Sequence, residues 1–192
     1  MRDVAIIGVG LTRFGERWEH GLRDLMAEAG LNALNDAGIS SDDVEMLFGG
    51  VMASGRFIGQ EHIAALLSDQ LGFKNIPAVR VENACASGGT ALRQGYMAVA
   101  SGIHDIVAVG GVEKMTDVTP SEATSALGGA GDQEWELGQG ITFPGLYALM
   151  AKRHMHEFGT TEEQMAAVSV KNHSKAAKNK YAQFRKELTI ED

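Results

Sequence analysis

The sequence predicts an α/β protein with a parallel-rich sheet and helices on both faces. Three observations indicate this fold class: short apolar runs alternate with stretches of helical spacing, glycines stand at the ends of both, and 44% of the 192 residues are hydrophobic. With 24 glycines and 3 prolines, the composition favours a tightly turned chain able to bury one good core. In such sheets ligands gather at the carboxyl ends of the strands, so we expect a functional site there.

Residues 3–9, DVAIIGV, form a run that is apolar from Val4 onward. Such a run is typical of a strand buried on both faces of a parallel sheet, and Gly8 and Gly10 would end it in a turn. The same two glycines could begin a nucleotide-binding loop. Arg13 occupies the place of the third glycine of that motif, which favours the simpler role in a turn.

Two helices and a strand are expected next. Apolar residues recur at helical spacing over 22–37, and Gly38 is a suitable stop. A strand is expected at 45–53, after which Ser54–Gly55 opens a loop. Leucine and isoleucine along one side then predict a second helix over 63–71.

The only cysteine of the chain, Cys85, lies between a predicted strand and a predicted helix. Residues 78–82 alternate around β-branched positions, as in a short strand, and residues 86–99 are typical of a buried helix. The first amides of such a helix have no internal partner, and together with the helix dipole they would stabilise a thiolate. The small residues at 86–89 would leave room for a substrate. Cys85 is therefore a candidate nucleophile, although a lone cysteine in apolar surroundings can also be a small buried hydrophobe.

The second half of the chain is predicted to be mainly helical. A strand at 105–112 is followed by 116–140, which has many glycines and no sustained period, and which we interpret as a long loop excursion. Pro144 suits the first turn of a helix that Gly159 would stop. Thr161–Gln164 matches a capping box that begins a further helix.

Charge and cysteine content narrow the functional classes. The formal charge of −8 argues against nucleic-acid binding, and the lack of a long apolar run argues against a membrane span. One cysteine cannot form an internal disulfide or a cysteine-cluster metal site, so we expect a cytoplasmic protein without a bound metal. A group of lysines could hold one phosphorylated ligand, or simply form a solvated helix face: Lys171, Lys175, Lys178 and Lys180.

Two spaced motifs resemble those of the thiolase family. Residues 83–89, NACASGG, are similar to the segment that carries the acyl-accepting cysteine of thiolases, and residues 109–115, VGGVEKM, resemble the segment that follows it. Residues 170–184 resemble the archaeal acetyl-CoA acetyltransferase and sterol-carrier-protein-x branches, except that Lys180 replaces a proline. The resemblance covers residues 3–192, and a whole thiolase is about twice as long as this chain.

The resemblance implies an arrangement of the site and of the chain. Cys85 would be the catalytic nucleophile, and four residues would shape the substrate site, with the glutamate in a structural rather than a catalytic role: Asn83, Gly111, Glu113 and Met115. The CoA thioester would be the substrate, without a resident cofactor. Residues 1–115 would form the α/β core that carries the nucleophile, and residues 116–192 a loop and helical segment over the substrate channel.

The function implied by the resemblance is that of the N-terminal half of an acetyl-CoA C-acetyltransferase. In thiolases the activating histidine, an oxyanion-site asparagine and a second cysteine come from the C-terminal half, and none of those motifs occurs in this sequence. We therefore expect the chain alone to be inactive, and to assemble as a homo-oligomer, with a C-terminal half, or with a thiolase-associated subunit. One alternative is a non-catalytic, thiolase-like subunit that scaffolds a complex; another is a related condensing enzyme, which fits VGGVEKM less well.

Overall fold

The computed structural model describes residues 2–192, which form two compact units. The first unit comprises residues 2–12 and 17–126 and contains a three-stranded sheet. The second comprises residues 13–16 and 127–192 and contains the last two helices. None of the helices described between residues 2 and 192 is long and apolar enough to cross a membrane.

Helices and strands alternate through the first unit, and helices alone follow. In chain order they are α1 (Leu22–Ala37), β1 (Met46–Gly50), α2 (Ser54–Ile58), α3 (Ile63–Gln70), β2 (Ala78–Val81), α4 (Ser87–Ala100), β3 (Val107–Gly110), α5 (Pro120–Gly128), α6 (Phe143–Phe158) and α7 (Glu162–Ala176).

The sheet has the strand order β2-β1-β3, and both pairs are parallel. Leu47 in the central strand is in register with Ala78 on one side and Ala108 on the other. Because all three strands run in the same direction, their carboxyl ends meet at one edge of the sheet.

Helices cover both faces of the sheet, as the sequence predicts. Consecutive residues of a strand point to opposite faces, and the last two residues of β1 show what lies on each. A Cβ built on Gly49 would lie 3.3 Å from the Ala64 Cβ of α3, whereas one built on Gly50 would lie 2.7 Å from the Ser87 carbonyl oxygen of α4. The predicted α/β class with helices on both faces is confirmed.

The main core lies on the α3 side of the sheet, where α1 packs against α3. Its buried members are aliphatic or aromatic side chains from these helices, from β1 and from the neighbouring loops: Leu22, Met26, Val44, Leu47, Val51, Ile63, Leu67, Leu71 and Phe73. Burying such side chains is the main favourable contribution to folding, at roughly 1.5–3 kcal/mol each.

Helix ends fall where the sequence signals predict. Gly38 after α1 and Gly159 after α6 adopt the left-handed conformation, with φ of 69° and 70°. Pro144 lies in the first turn of α6. The capping box of α7 is formed: the Thr161 hydroxyl accepts from the Gln164 N–H at 3.3 Å, and the Gln164 side chain accepts in return.

The strand predicted at residues 3–9 is wrong, because this segment joins no sheet. It lies instead along α1: a Cβ on Gly8 would be 2.5 Å from the Ala33 carbonyl oxygen, and one on Gly10 would overlap the Ala29 carbonyl oxygen. The Val9 N–H donates to the Asp36 carboxylate at 2.9 Å. The close packing of two glycines on a helix, which an apolar run does not reveal, fixes the segment there.

Two segments predicted as loops contain helices. The turn expected at Ser54–Gly55 is the start of α2, and the excursion at 116–140 contains α5. Before α5 the Thr119 N–H and hydroxyl both donate to the Glu122 carboxylate, at 2.8 and 2.7 Å, and Pro120 occupies the first position of the helix. The T-P-x-E pattern at residues 119–122 is a helix-start signal, but the many glycines of the segment favoured the prediction of a loop.

We expect Gly10→Ala to destabilise the first unit by about 1–3 kcal/mol, because the new methyl group overlaps the backbone of α1. Urea unfolding followed by circular dichroism measures the change. Gly88→Ala is the matched control: its methyl group would meet nothing within 4 Å, so we expect a change within about 1 kcal/mol. Equal stability of the two variants would contradict the packing of residues 3–10 on α1.

Candidate active site

Three chain segments leave the sheet at the edge where the strands end. The segment after β1 stays beside β2, because the Val51 N–H donates to the Val81 carbonyl at 3.1 Å. The segment after β2 carries Cys85, and the segment after β3 carries Gly111, Glu113 and Met115. The folded chain therefore brings both sequence motifs to the same edge.

Cys85 lies in a single 3₁₀ turn, Ala84–Ala86, between β2 and α4. Its thiol is free and exposed. Helix α4 begins two residues later, at Ser87, so the thiol precedes a helix N-terminus as the sequence predicts. Within residues 2–192 Cys85 is therefore an accessible residue and is not part of the buried core.

The Ser87 hydroxyl holds the turn around Cys85. It accepts from the Asn83 N–H at 2.9 Å and donates to the Ala84 carbonyl at 2.7 Å, and the side chain is only 4% exposed. Ala84 adopts φ of 46°, a left-handed conformation that costs a residue with a Cβ roughly 1–2 kcal/mol. The buried hydroxyl thus stabilises a strained backbone immediately before the cysteine.

Asn83 is part of the same turn. Its carbonyl accepts from the Ala86 N–H at 2.9 Å, and its side-chain amide donates to the Thr90 hydroxyl of α4 at 3.0 Å. These contacts tie the turn to the first part of the helix. They place the exposed Asn83 beside Cys85, and they use its side-chain N–H₂ to shape the turn.

The start of α4 is open on one side and tightly packed on the other. A Cβ on Gly88 or Gly89 would meet nothing within 4 Å, so space remains next to Cys85. On the packed side, a Cβ on Gly50 would lie 2.9 Å from the Gly88 Cα. Only a glycine at the end of β1 allows α4 to begin so close to the sheet.

The other two predicted residues of the second motif are Gly111, which packs near this contact, and Met115, which is exposed. A Cβ on Gly111 would overlap the Gly50 carbonyl oxygen, so Gly111 is needed for the passage of the chain past β1. Met115 is 41% exposed, four residues further along the chain.

Glu113 and Arg80 hold the segment after β1 from opposite sides. One Glu113 carboxylate oxygen accepts from the N–H groups of Met52 and Ala53, both at 2.9 Å. Arg80 donates to the carbonyls of Val51 and Met52, at 3.3 and 2.7 Å, and it also pairs with Glu61. Backbone groups that leave a sheet ladder need such partners, so these contacts give Glu113 a scaffolding position.

Two buried side-chain oxygen atoms in this region form no hydrogen bond within residues 2–192. They are the second carboxylate oxygen of Glu113 and the hydroxyl of Ser54, a residue that is fully buried. Both atoms face away from solvent, which sets Glu113 apart from the exposed Cys85.

Lys114, next to Glu113, is buried with a full set of acceptors. Its ammonium group donates to the Arg17 carbonyl at 3.2 Å and the Thr116 hydroxyl at 2.6 Å, and it pairs with Asp117 at 2.9 Å. It also lies 5.6 Å from the centre of the Trp18 ring. The hydrogen bond from Lys114 lowers the pKa of Asp117. This cluster anchors the end of the VGGVEKM segment.

Sequence reasoning did not find three residues that build the site. Ser87 has a side chain that bonds the turn, although sequence analysis assigned it only to a run of small residues. Arg80 is a charged residue between two valines of a predicted strand, which was the available signal, and Lys114 lies between two predicted site residues, Glu113 and Met115. Their partners are distant in sequence, so the contacts themselves could not be derived.

Residues 2–192 contain no group of three or more histidine, cysteine, aspartate or glutamate side chains placed to hold a metal ion. The fold is thus an α/β sheet with an exposed thiol beyond the carboxyl end of a strand. Residues 4–191 match the family description "Thiolase, N-terminal domain". The chain belongs to the thiolase family.

Individual relatives agree with this assignment. The chain is 57% identical over 191 residues to an acetyl-CoA acetyltransferase of Methanothermobacter thermautotrophicus, covering 100% of this chain and 49% of that protein. It is 34% identical to sterol carrier protein 2 of Gallus gallus, covering 100% of this chain and 36% of that protein. The chain spans about half the length of the archaeal relatives it matches.

A solved structure described as "Ltp2-ChsH2(DUF35) aldolase" has the same fold. It superposes with a TM-score of 0.76 at 30% sequence identity, covering 98% of this chain and 47% of that chain. The predicted thiolase-like fold, N-terminal half, is confirmed.

We expect Ser87→Ala to cost about 1–3 kcal/mol of stability, because it removes two hydrogen bonds that hold the turn, one from the Asn83 N–H and one to the Ala84 carbonyl. Thermal unfolding measures the loss, and the rate of Cys85 modification by a thiol reagent reports on the turn. Ser101→Ala is the control, since the Ser101 hydroxyl bonds the Ala98 carbonyl at an exposed helix end. A Ser87 variant no less stable than the Ser101 variant would contradict the role of the buried hydroxyl.

We expect Lys114→Met to lower stability by about 1–3 kcal/mol at neutral pH, because the Arg17 carbonyl and Asp117 lose a charged donor. Asp117 has a lowered pKa in the folded chain, so its contribution is present above its unfolded-state pKa of about 4 and is lost as the pH falls through the folded-state value. The difference in the free energy of unfolding between wild type and Lys114→Met should therefore become smaller at acid pH.

Urea unfolding of both proteins at several pH values tests this. Lys74→Met removes a lysine that is 3.6 Å from Asp42 on the exposed surface, and it should change stability by less than about 0.5 kcal/mol. A constant difference between wild type and Lys114→Met down to acid pH would show that Asp117 is not the partner that matters.

Proposed function

We propose that this chain is the N-terminal, nucleophile-bearing half of an acetyl-CoA C-acetyltransferase, and that Cys85 accepts the acyl group. The observation that carries the proposal is the exposed thiol at the start of α4, with open space at Gly88 and Gly89 beside it. The archaeal relatives, at 57% and 54% identity, are named acetyl-CoA acetyltransferases. Residues 1–115 supply the nucleophile part of this half.

The proposed chemistry is acyl transfer through a thioester on the enzyme. The Cys85 sulfur attacks the acyl carbon of an acyl-CoA; a new sulfur–carbon bond forms, the bond to the CoA sulfur breaks, and CoA leaves as the thiol with the proton that the Cys85 thiol gave up. A base removes a proton from the methyl group of a second acetyl-CoA, and the resulting carbanion attacks the acyl-cysteine. A carbon–carbon bond forms, the bond to the Cys85 sulfur breaks, and a 3-ketoacyl-CoA and the Cys85 thiolate are the products. The backbone amide of Cys85 is the proposed donor to the oxyanion that forms in each step.

The other predicted site residues have different proposed roles. Asn83 and Gly111 shape the substrate site beside Cys85, and the exposed Met115 contributes apolar surface to it. Glu113 supports the site by holding the segment after β1, which its two hydrogen bonds favour over a catalytic role. CoA thioesters are the substrates in this proposal, and no resident cofactor is involved.

The proposal also requires a partner for turnover. No residue near Cys85 is assigned as the activating base, and the relatives are about twice as long as this chain. We propose that the base comes from a C-terminal half or partner subunit, in an assembly that includes further copies of the chain. The description of the aldolase structure, "Ltp2-ChsH2(DUF35) aldolase", names a DUF35 component, and we propose a protein of that kind as a candidate partner.

We expect the purified chain to gain the mass of one acetyl group when it is incubated with acetyl-CoA, because the exposed thiol needs no rearrangement to reach a thioester. Intact-mass spectrometry measures the adduct, and peptide mapping locates it. Cys85→Ser removes the only thiol and should show no adduct under the same conditions.

An adduct on wild type and none on the serine variant would support an autonomous nucleophile site. A folded wild-type chain that stays unmodified would reject acyl transfer by this chain alone and would favour the non-catalytic, scaffolding alternative. Circular dichroism of both proteins verifies that they are folded.

A further inference from the structure

Glu82 is an exposed carboxylate three residues before Cys85, and acyl transfer as proposed above gives it no role. It directly follows Val81, the last residue of β2, so it lies at the same edge of the sheet as the thiol. Its carboxylate accepts a hydrogen bond from the Ala84 N–H. The negative charge is therefore held against the turn that contains Cys85.

Both polar backbone groups of Ala84 have side-chain partners, which fixes the carboxylate in place. Ala84 has a left-handed φ of 46°. Its N–H donates to Glu82, and its carbonyl accepts from the buried Ser87 hydroxyl at 2.7 Å. Because a strained residue persists only where its surroundings hold it, the position of the Glu82 carboxylate is coupled to the shape of the turn.

The hydrogen bond to Ala84 also limits the distance between the Glu82 carboxylate and the Cys85 sulfur. Ala84 directly precedes Cys85, so one hydrogen bond and a few covalent bonds connect the two groups. Standard bond lengths then keep the sulfur within about 11 Å of the bonded carboxylate oxygen. Charges act over about 10 Å in 0.1 M salt and about 30 Å in 0.01 M salt. The charge of Glu82 therefore acts on any reagent that reaches the sulfur.

The charge of Glu82 is unpaired within the described part of the chain. Among residues 2–192, no lysine, arginine or histidine forms an ion pair with this carboxylate. Arg80, the cation nearest to it along the chain, pairs with Glu61 and donates to two backbone carbonyls after β1. Arg80 is thus committed elsewhere, and Glu82 leaves a net negative charge beside the thiol.

The groups that follow Cys85 along the chain have the opposite polarity. Helix α4 begins at Ser87, and its first amides form the positive end of the helix dipole. These amides favour the carbonyl oxygen of a substrate, which gains negative charge when the sulfur attacks. A second negative charge on the substrate, close to the reacting carbon, is instead repelled by Glu82. Like charges placed in this way are a means of rejecting one class of ligand.

We propose that Glu82 makes Cys85 selective for electrophiles that carry no negative charge close to the reacting carbon. In acyl transfer, the proposed function on which this consequence rests, acyl groups without a carboxylate are accepted in preference to those that carry one. Glu82 is then a specificity-determining residue that acts through its charge.

The test is alkylation of Cys85, the only thiol of the full chain, by iodoacetamide and by iodoacetate. In both reactions the sulfur displaces iodide from a methylene carbon, but only iodoacetate is an anion. Intact-mass spectrometry at one fixed pH gives the ratio of the two rate constants, neutral over anionic. Because the same thiolate reacts with both reagents, its population cancels in this ratio.

Glu82→Gln removes the charge and keeps an oxygen that can accept from the Ala84 N–H. We expect it to lower the ratio by about 2- to 3-fold in about 0.01 M salt, and to have little effect in about 1 M salt, where charges are screened. Glu45→Gln is the matched control and should leave the ratio unchanged. Glu45 also accepts a backbone N–H, from Asp105 at 2.7 Å, but it precedes β1 and lies at the opposite edge of the sheet.

Three results would overturn the proposal, because each excludes a local effect of charge: an unchanged ratio in Glu82→Gln, an equal fall in Glu45→Gln, or a fall that persists at high salt. A mixture of acetyl-CoA and succinyl-CoA extends the test to acyl groups. A larger share of succinyl adduct in Glu82→Gln than in wild type would support the proposal, and an equal share would overturn it. A chain that shows the expected alkylation ratios but gains no acyl group would reject the proposed acyl transfer and support the role of Glu82, so the two failures are distinguishable.

Discussion

The close approach of α4 to the end of the central strand is the contact on which the candidate site depends. At Gly50 the strand backbone meets the backbone of Ser87 and Gly88 with no side chain between them. At Gly49, one residue earlier, the opposite face receives α3. Because interiors are packed as densely as crystals, a methyl group at Gly50 could be accommodated only by moving the helix. The position of Cys85 follows from where α4 can begin.

The side chains at this edge of the sheet have two different roles. Most of them hydrogen-bond to the backbone, whereas the thiol of Cys85 is free. Glu113 and Arg80 satisfy amides and carbonyls of the segment after β1, and Ser87 satisfies both sides of the turn before α4. Each of these side chains is committed to the scaffold by its hydrogen bonds. Cys85, by contrast, is free and exposed. A rigid support around an accessible nucleophile is the arrangement that favours reproducible chemistry at one atom.

Local signals in the sequence predicted most helix ends and the position of the thiol. Helix ends depend on residues close in sequence. Gly38 and Gly159 each end a helix, and the Thr161 capping box begins one, so these boundaries can be predicted without a tertiary structure. The strands at 45–53 and 105–112 were found but overextended, since β1 and β3 end at Gly50 and Gly110. The T-P-x-E signal before α5 was present and was missed.

Contacts between distant residues could not be predicted in the same way. The apolar run at 3–9 indicated burial. Its position, however, depends on the packing of Gly8 and Gly10 against α1, about 20 residues or more further along the chain. The hydrogen bonds from Glu113 to Met52 and Ala53 join positions about 60 residues apart. Sequence alone located the candidate residues of the site, and the tertiary structure was needed to tell supporting residues from the reactive one.

The single exposed cysteine also makes the chain a convenient object for site-specific labelling. A maleimide dye or spin label would attach at Cys85 and at no other side chain of this sequence, without any cysteine having to be removed first. Because the label would sit on a turn that follows β2 and is hydrogen-bonded to α4, its mobility would report directly on the order of the backbone at that junction. The same atom that we propose for acyl transfer thus gives a spectroscopic probe of the fold that supports it.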